Sequence, residues 1–268
     1  MGKKIFGAIA ATIAAALVLA ASVFTGMQIY NMLIYKGSGQ MDTPTTNTVF
    51  DQIIEMFAHT PVQPIEDEPP APTFTDAPEN YFDDALFIGD SRTDGIRLFG
   101  NIKNATYFCG TGTSIYGAMS VSLNVSGYGQ TTLPKLLQSG HFGKVYIMLG
   151  INDAGNDREF TINRYSQIVD AVRKYQPDAI IFLEANLHCT ANKAASSPVF
   201  SKDSVDGLNK SISELANGTD IFYIDCNVLF DDENGYLSPA YASDGAHVTA
   251  DAYSIWCNWL RQNAIIIQ

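Results

Sequence analysis

The stretch Ala85-Leu86-Phe87-Ile88-Gly89-Asp90-Ser91 joins four apolar residues to a glycine and two polar side chains. Residues 145–153 repeat this order, with five apolar residues followed by Gly150-Ile151-Asn152-Asp153. Short apolar runs bounded by turn signals are typical of strands buried on both faces of a parallel sheet. Because ligands of open α/β sheets bind beyond the carboxyl ends of the strands, we expect Ser91 and Asn152 to share one rim of one sheet.

The chain beyond residue 80 alternates such apolar runs with helical patterns. Five strands are predicted, at residues 85–88, 105–108, 144–149, 179–184 and 221–224. Apolar residues at helical spacing predict one helix between the third and fourth strands, another between the fourth and fifth, and a last one at residues 250–260. This alternation implies an α/β domain with a parallel sheet, helices on both faces and right-handed crossovers.

Two further polar blocks carry residues suited to nucleophilic catalysis. Cys109-Gly110-Thr111-Gly112 follows the second predicted strand, and Asp244-Gly245-Ala246-His247 precedes the last predicted helix. A serine hydroxyl becomes a good nucleophile when a base removes its proton, and an imidazole is the usual base. A carboxylate on the other ring nitrogen fixes the tautomer. Asp244 and His247 can project from one short loop toward Ser91.

In these four blocks the chain resembles the SGNH/GDSL hydrolases, over about residues 85–260. The resemblance implies a three-layer α/β/α, flavodoxin-like fold and the hydrolysis of an ester through an acyl-enzyme. It implies that Ser91 is the nucleophile, that His247 is the general base and that Asp244 orients the imidazole.

The same resemblance implies an oxyanion hole for the tetrahedral intermediate. Its donors would be the backbone N–H of Ser91, the side-chain amide of Asn152 and a glycine of the second block. We place this glycine at Gly112, which closes the block in the way the family pattern does, with Gly110 as the alternative.

Each block also has an ordinary structural explanation. Serine is a favoured N-cap, so Ser91 could cap a helix. Asn152 and Asp244 could belong to turns, and His247 could be a surface histidine. The presence of all four blocks, in order and three of them directly after predicted strands, favours the catalytic interpretation.

Two more side chains are candidate substrate contacts. His188 follows the fourth predicted strand and therefore belongs to the same rim, although an ordinary loop histidine is the favoured explanation. Asp94 lies one turn after Ser91, where it could instead complement the positive end of the helix. The segment Arg92-Thr93-Asp94 stands where lipase-like relatives carry small or apolar residues, which argues against a long-acyl lipid substrate.

The N-terminal segment has the composition of a membrane anchor. Lys3 and Lys4 precede residues 5–35, which are mostly apolar and carry no charge. Such a run can span a bilayer of about 30 Å at 1.5 Å per residue. The positive-inside rule then places the N-terminus in the cytoplasm and the remainder outside. We favour an uncleaved signal anchor at residues 1–35 over a signal peptide cleaved near Ala20-Ala21-Ser22.

Residues 36–80 are rich in proline and acidic residues, a composition that predicts an extended spacer. Within it, residues 50–57 have helical spacing of apolar side chains. The predicted organisation is therefore an anchor at residues 1–35, a spacer at 36–80 and a hydrolase domain at 81–268.

Charge and cysteine content narrow the choice of partners. The net charge is −12 without any basic stripe, which argues against nucleic acid as a partner. None of the four cysteines forms a C-x-x-C pair, so no zinc site is predicted, and no cofactor is expected. Disulfides are compatible with an extracellular domain, but positions at strand ends and in an apolar helix favour reduced thiols. These cysteines are Cys109, Cys189, Cys226 and Cys257.

Taken with the N-terminal segment, the resemblance predicts a membrane-anchored extracellular serine esterase at a bacterial surface. The expected substrates are O-acetyl or other short acyl esters of cell-surface carbohydrate. The alternatives are a lipid acylhydrolase, an acyltransferase that uses a sugar hydroxyl in place of water, and a catalytically inactive binding module of the same fold. The sequence makes no prediction about the oligomeric state.

Overall fold

A five-stranded parallel sheet forms the centre of the region that the computed structural model describes, residues 72–266. Seven strands are present there: β1 (Ala85–Gly89), β2 (Thr106–Cys109), β3 (Ser122–Val125), β4 (Gly129–Thr132), β5 (Lys144–Met148), β6 (Ile180–Glu184) and β7 (Ile221–Ile224). The central sheet has the order β2-β1-β5-β6-β7, with every neighbouring pair parallel. This is the flavodoxin-like order. All five predicted strands are confirmed, with ends that differ by at most one residue.

Helices cover both faces of this sheet. They are α1 (Ser91–Phe99), α2 (Leu133–Ser139), α3 (Arg158–Tyr175), α4 (Ala191–Ser196), α5 (Lys202–Ser213) and α6 (Ala250–Gln262). One face of the sheet packs against apolar residues of α2, α3 and α5, and the other packs against α1 and α6. Successive strand residues alternate between the two cores, which explains why the strands are apolar throughout. The predicted three-layer α/β/α arrangement is confirmed.

An antiparallel hairpin of β3 and β4 was not predicted from the sequence. Its strands are largely exposed and polar, so they lack the apolar runs by which the central strands are recognised. Gly127 and Gly129 shape the turn between them, with φ values of +80° and +69° that other residues rarely adopt.

An aromatic row crosses the sheet on the face covered by α1 and α6. Each of the five strands contributes one ring, in the order Tyr107, Phe87, Tyr146, Phe182 and Phe222. Successive ring centroids lie 5.1, 4.6, 4.4 and 6.1 Å apart. Aromatic pairs of this kind contribute about 0.5–1.5 kcal/mol each beyond the area they bury. The row therefore helps to fix the register that aligns the carboxyl ends of the strands.

The two ends of the domain are joined to each other. Thr75 and Ala264 form an antiparallel bridge with two N–H···O distances of 2.9 Å. The Tyr81 hydroxyl donates to the Ile265 carbonyl at 2.9 Å and accepts from the Ile265 N–H at 3.1 Å. Because Thr75 pairs with the end of the chain, the folded domain begins before residue 81, earlier than the sequence boundary predicted.

The predicted anchor at residues 1–35, residues 36–71 of the predicted spacer and the helical pattern at 50–57 lie outside the described residues. Among residues 72–266, no helix combines the length and the apolar character needed to cross a membrane.

A carboxyl group is buried inside the domain at the carboxyl end of β6. Glu184 is 1% exposed, and neither of its oxygens has a hydrogen-bond partner among the described residues. Burial raises the pKa of Glu184 from 4.5 to about 8. The folded state therefore holds a proton that the unfolded state releases above about pH 4.5, and stability falls as the pH rises from there to about 8.

We expect Glu184→Gln to remove this loss of stability. The melting temperature of the variant, relative to wild type, should rise by several degrees between pH 5 and pH 8.5, because each kcal/mol is worth about 2–4 °C in a domain of this size. Thermal melts at both pH values measure the difference. The exposed Glu233→Gln is the control and should show no such change. If the melting temperature of Glu184→Gln differs from that of wild type by the same amount at both pH values, Glu184 is not uncharged in the folded domain.

Candidate active site

A sharp turn connects β1 to α1 and presents Ser91 at the rim of the sheet. Asp90 is the N-cap of α1, and its Oδ1 accepts from the Arg92 N–H at 2.9 Å. Gly89 is required by close approach, because a Cβ there would collide with Thr93 and lie 2.9 Å from the Met148 carbonyl oxygen. Ser91 is the first residue of α1, so its backbone N–H has no acceptor within the helix. The capping role proposed as an alternative for Ser91 thus belongs to Asp90.

The loop before α6 brings a histidine and a carboxylate to Ser91. Ser91 Oγ lies 2.7 Å from His247 Nε2, and His247 Nδ1 lies 2.8 Å from Asp244 Oδ2. Asp244 Oδ1 accepts from the backbone N–H groups of Ala246 and His247, at 2.9 and 2.8 Å. Burial alone would raise the pKa of Asp244, but these hydrogen bonds and the neighbouring His247 lower it to about 2. Asp244 is therefore a carboxylate at neutral pH and stabilises a positive charge on the imidazole.

The third block forms a 3₁₀ turn, Ile151–Asp153, directly after β5. Asn152 Nδ2 donates to the Thr113 carbonyl at 3.0 Å, and Asp153 Oδ2 accepts from the Ile115 N–H at 2.7 Å. Both bonds tie this turn to the loop of the second block. The Asn152 amide has two N–H bonds, so one remains for a ligand.

The two glycines of the second block differ in conformation. Gly112 is exposed, with a φ of +72° and open space where a Cβ would lie. Gly110 directly follows β2 and has no such backbone requirement, and its carbonyl accepts from the Thr113 N–H at 3.1 Å. The assignment of Gly112 rather than Gly110 to an oxyanion hole stays a prediction.

His188 is buried and belongs to an ionic cluster whose other members are partly exposed. Its Nδ1 lies 2.7 Å from Asp231 Oδ2 and its Nε2 lies 2.7 Å from Asp206 Oδ1, while Lys202 Nζ lies 2.6 Å from the second oxygen of Asp206. Burial lowers the pKa of His188, but the hydrogen bonds and charges of the two aspartates outweigh it and raise the pKa. Because both ring nitrogens are engaged, this geometry favours a structural role for His188, and its suggested substrate contact stays a prediction.

Asp94, the other suggested substrate contact, faces β2. Its Oδ1 accepts from Arg97 Nε at 2.7 Å and lies 3.5 Å from Cys109 Sγ. A role in substrate binding stays a prediction.

All four cysteines are free thiols. Among the described residues, no group of three or more His, Cys, Asp or Glu side chains is placed to hold a metal ion.

Sequence reasoning missed an exposed aromatic pair, one member of which lies in the loop of the second block. The rings of Tyr116 and Phe160 are 5.7 Å apart and inclined at 32°, and the residues are 37% and 50% exposed. Tyr116 is held in place by a 2.9 Å hydrogen bond between its hydroxyl and Thr161 Oγ1. It lies three residues from Thr113, the acceptor of the Asn152 amide, and hence within about 11 Å of it. Two isolated aromatics 44 residues apart give no sequence signal.

Comparison with known proteins adds to this geometry. The profile of the GDSL-like lipase/acylhydrolase family matches residues 87–255. No curated protein matches the sequence. A solved GDSL-like lipase from Bacteroides thetaiotaomicron is 17% identical, with a TM-score of 0.52 over 69% of this chain and 89% of that one. A Bacteroides fragilis protein provisionally described as an acylhydrolase is 15% identical, with a TM-score of 0.52 over 83% of this chain and 97% of that one. At such identities the two structures share the fold alone with this chain.

Proposed function

Since the chain belongs to the GDSL-like lipase/acylhydrolase family, we propose that it is a serine esterase in which Ser91, His247 and Asp244 act together. One observation carries this proposal. Hydrogen bonds of 2.7 and 2.8 Å connect the Ser91 hydroxyl to the imidazole and the imidazole to a carboxylate whose pKa is about 2. This is the arrangement by which a serine hydroxyl is activated on unrelated folds.

The reaction would proceed in two halves. His247 Nε2 takes the proton of Ser91 Oγ as the oxygen attacks the acyl carbonyl, and the resulting imidazolium is stabilised by Asp244. The proton then passes to the leaving alcohol, which leaves an acyl-enzyme on Ser91. A water molecule, deprotonated by the same imidazole, releases the acid and regenerates the hydroxyl.

The negative charge on the carbonyl oxygen needs donors already in place. The free backbone N–H at the start of α1 and the remaining N–H of Asn152 are two such donors, and the N–H of Gly112 or Gly110 would be the third. Donors fixed before the reaction stabilise the transition state without a cost of reorganisation. The bonds from Asn152 to Thr113 and from Asp153 to Ile115 support this role, because they hold the third block against the second.

The proposed substrate is a short acyl ester, such as an O-acetyl group, on a saccharide. The short acyl chain is proposed from the sequence, in which Arg92-Thr93-Asp94 follows Ser91 where lipase-like relatives carry small or apolar residues. The exposed and fixed aromatic pair of Tyr116 and Phe160 supports a sugar, because a flat apolar ring face with polar edges is suited to packing on an aromatic side chain.

A substrate series tests both the activity and the substrate class. Full-length protein in detergent is assayed with p-nitrophenyl esters of two to twelve carbons and with an O-acetylated polysaccharide. Acetate release together with a preference for the shortest ester supports the proposal. A rate that peaks at long chains would indicate a lipid acylhydrolase, and no turnover at all would indicate a binding module.

The aromatic pair should contribute to saccharide affinity. We expect Tyr116→Ala and Phe160→Ala each to raise KM for an O-acetylated oligosaccharide by about 3–10-fold. The KM for glycerol triacetate, which has no sugar ring to pack on the aromatic pair, should stay unchanged. An equal rise for both substrates would show that the substitutions disturb the loop instead of removing a sugar contact.

We also propose that residues 1–35 anchor the protein, with the esterase domain outside the cell. The support is the uncharged run of residues 5–35 behind Lys3 and Lys4. The full-length protein should sediment with membranes and resist extraction by alkaline carbonate. Protease added to intact cells after wall removal should cut within residues 36–71 and release an active fragment. A mature form in the medium that begins near Ser22 would contradict an uncleaved anchor.

A further inference from the structure

Arg92, the residue after Ser91, is a buried cation. It is 1% exposed, although charged side chains are almost never fully buried unless they are paired. Among residues 72–266, no carboxylate oxygen lies within ion-pair distance of its guanidinium. Nε and Nη2 both donate to the Ala246 carbonyl oxygen, at 3.1 and 2.9 Å, and Nη2 lies 3.7 Å from Cys189 Sγ.

The carbonyl that Arg92 holds belongs to the peptide that leads into His247. The N–H of that same peptide is bound by Asp244 Oδ1 at 2.8 Å, so both ends of one peptide group are fixed. Gly245 has a φ of +89°, which makes the preceding turn possible. The orientation of this peptide sets the direction in which the His247 side chain leaves the backbone.

We propose that Arg92 is a positioning residue that holds the His247 loop in register with Ser91, an inference that rests on the proposed esterase function. Ser91 and Arg92 are consecutive on the first turn of α1, and Ala246 and His247 are consecutive in the facing loop. The guanidinium bond to Ala246 therefore runs beside the 2.7 Å bond between Ser91 and His247 and connects the same two segments.

Arginine suits this task because its guanidinium is planar and presents several N–H bonds in a rigid fork. Two donors on one oxygen fix the carbonyl more tightly than a single ammonium on a flexible stem would. The burial of a charge that no carboxylate binds directly is costly, so holding this loop reduces the stability of the folded domain. Loss of the hydrogen bonds from Arg92 to the Ala246 carbonyl should leave substrate binding intact. It should reduce the fraction of time that the imidazole is aligned with Ser91.

The test compares Arg92→Met and Arg92→Lys with wild type in the full-length protein. We expect Arg92→Met to lower kcat by about 10–100-fold with KM within about twofold, since small displacements of catalytic groups have effects of this size. Arg92→Lys should recover part of the loss. The rate at which a fluorophosphonate labels Ser91 should fall in proportion to kcat, because labelling uses the same imidazole.

Arg173→Met is the matched control. Arg173 also clamps backbone carbonyls, those of Pro177 and Ala179 at 2.6 and 2.9 Å, but beside the amino end of β6, away from the rim. It should lower the melting temperature and leave kcat unchanged. Rates are expressed per folded molecule, with the folded fraction taken from a thermal melt. If Arg92→Met does not fold, the kcat of Arg92→Lys tests the positioning role.

Wild-type kcat in either folded Arg92 variant, or a rise in KM without a change in kcat, would overturn the positioning role alone. An inactive wild-type protein that no fluorophosphonate labels would instead overturn the proposed function.

Discussion

Ser91→Ala is expected to abolish ester hydrolysis, with kcat lower by about 10⁴–10⁶-fold and the domain still folded. The substitution removes one oxygen atom at the rim and leaves the Asp90 cap and the apolar core untouched. His247→Ala should have an effect of similar size, because an unactivated hydroxyl is a poor nucleophile. The double variant should be no worse than either single one, since the two residues act as a unit. Steady-state kinetics beside a thermal melt measure these effects.

The exposed Ser120→Ala serves as the control and should keep wild-type activity. A fluorophosphonate should label wild-type protein at Ser91, as identified by peptide mass spectrometry, and should not label Ser91→Ala. Labelling of another serine, or substantial activity in Ser91→Ala, would remove Ser91 from the reaction.

Asn152→Ala should lower kcat by about 10²–10³-fold, a loss of roughly 2.7–4 kcal/mol, with KM little changed. The reason is that an oxyanion forms only as the acyl carbonyl is attacked, so its donor stabilises the transition state more than the bound substrate. The substitution also breaks the bond to the Thr113 carbonyl, so part of any effect could arise from a looser loop.

Asp153→Ala separates these two contributions. It removes the parallel bond to the Ile115 N–H from the same 3₁₀ turn, but it takes no donor from the oxyanion. We expect Asp153→Ala to reduce stability more than Asn152→Ala and kcat per folded molecule much less. If both variants lose activity only in step with their unfolded fraction, Asn152 shapes the loop and the backbone N–H groups alone form the oxyanion hole.

The central sheet could be predicted from the sequence because its strands are buried on both faces. Phe87 belongs to one core and Ile88 to the other, so the whole strand had to be apolar and was visible as a run. The same logic placed the polar blocks, since they begin where the apolar runs stop. Asp244 and His247, three residues apart, could be placed in one loop without knowledge of the tertiary structure.

What could not be predicted depends on contacts between distant residues. His188 lies at a strand end, as Ser91 does, but its partners Asp206 and Asp231 are 18 and 43 residues away, so nothing in the sequence indicated that both of its ring nitrogens are hydrogen-bonded. Arg92 was visible only as a departure from the residues usual after the nucleophile, because its acceptor, Ala246, is 154 residues distant. The hairpin of β3 and β4 escaped because its exposed strands carry no apolar run.

The bridge between Thr75 and Ala264 has a consequence for how the domain can be immobilised and circularly permuted. Residues 82–84 lead into the amino end of β1, and α6 runs from the catalytic loop back to Ala264, so both ends of the domain emerge at the pole opposite Ser91. A short linker could therefore connect residue 266 to residue 74, and new ends could be opened in the turn at Gly127, to give a circular permutant that keeps the rim intact. For the same reason, if the domain is immobilised on a solid support through residue 72, the rim faces away from the support and stays accessible to a large polymeric substrate.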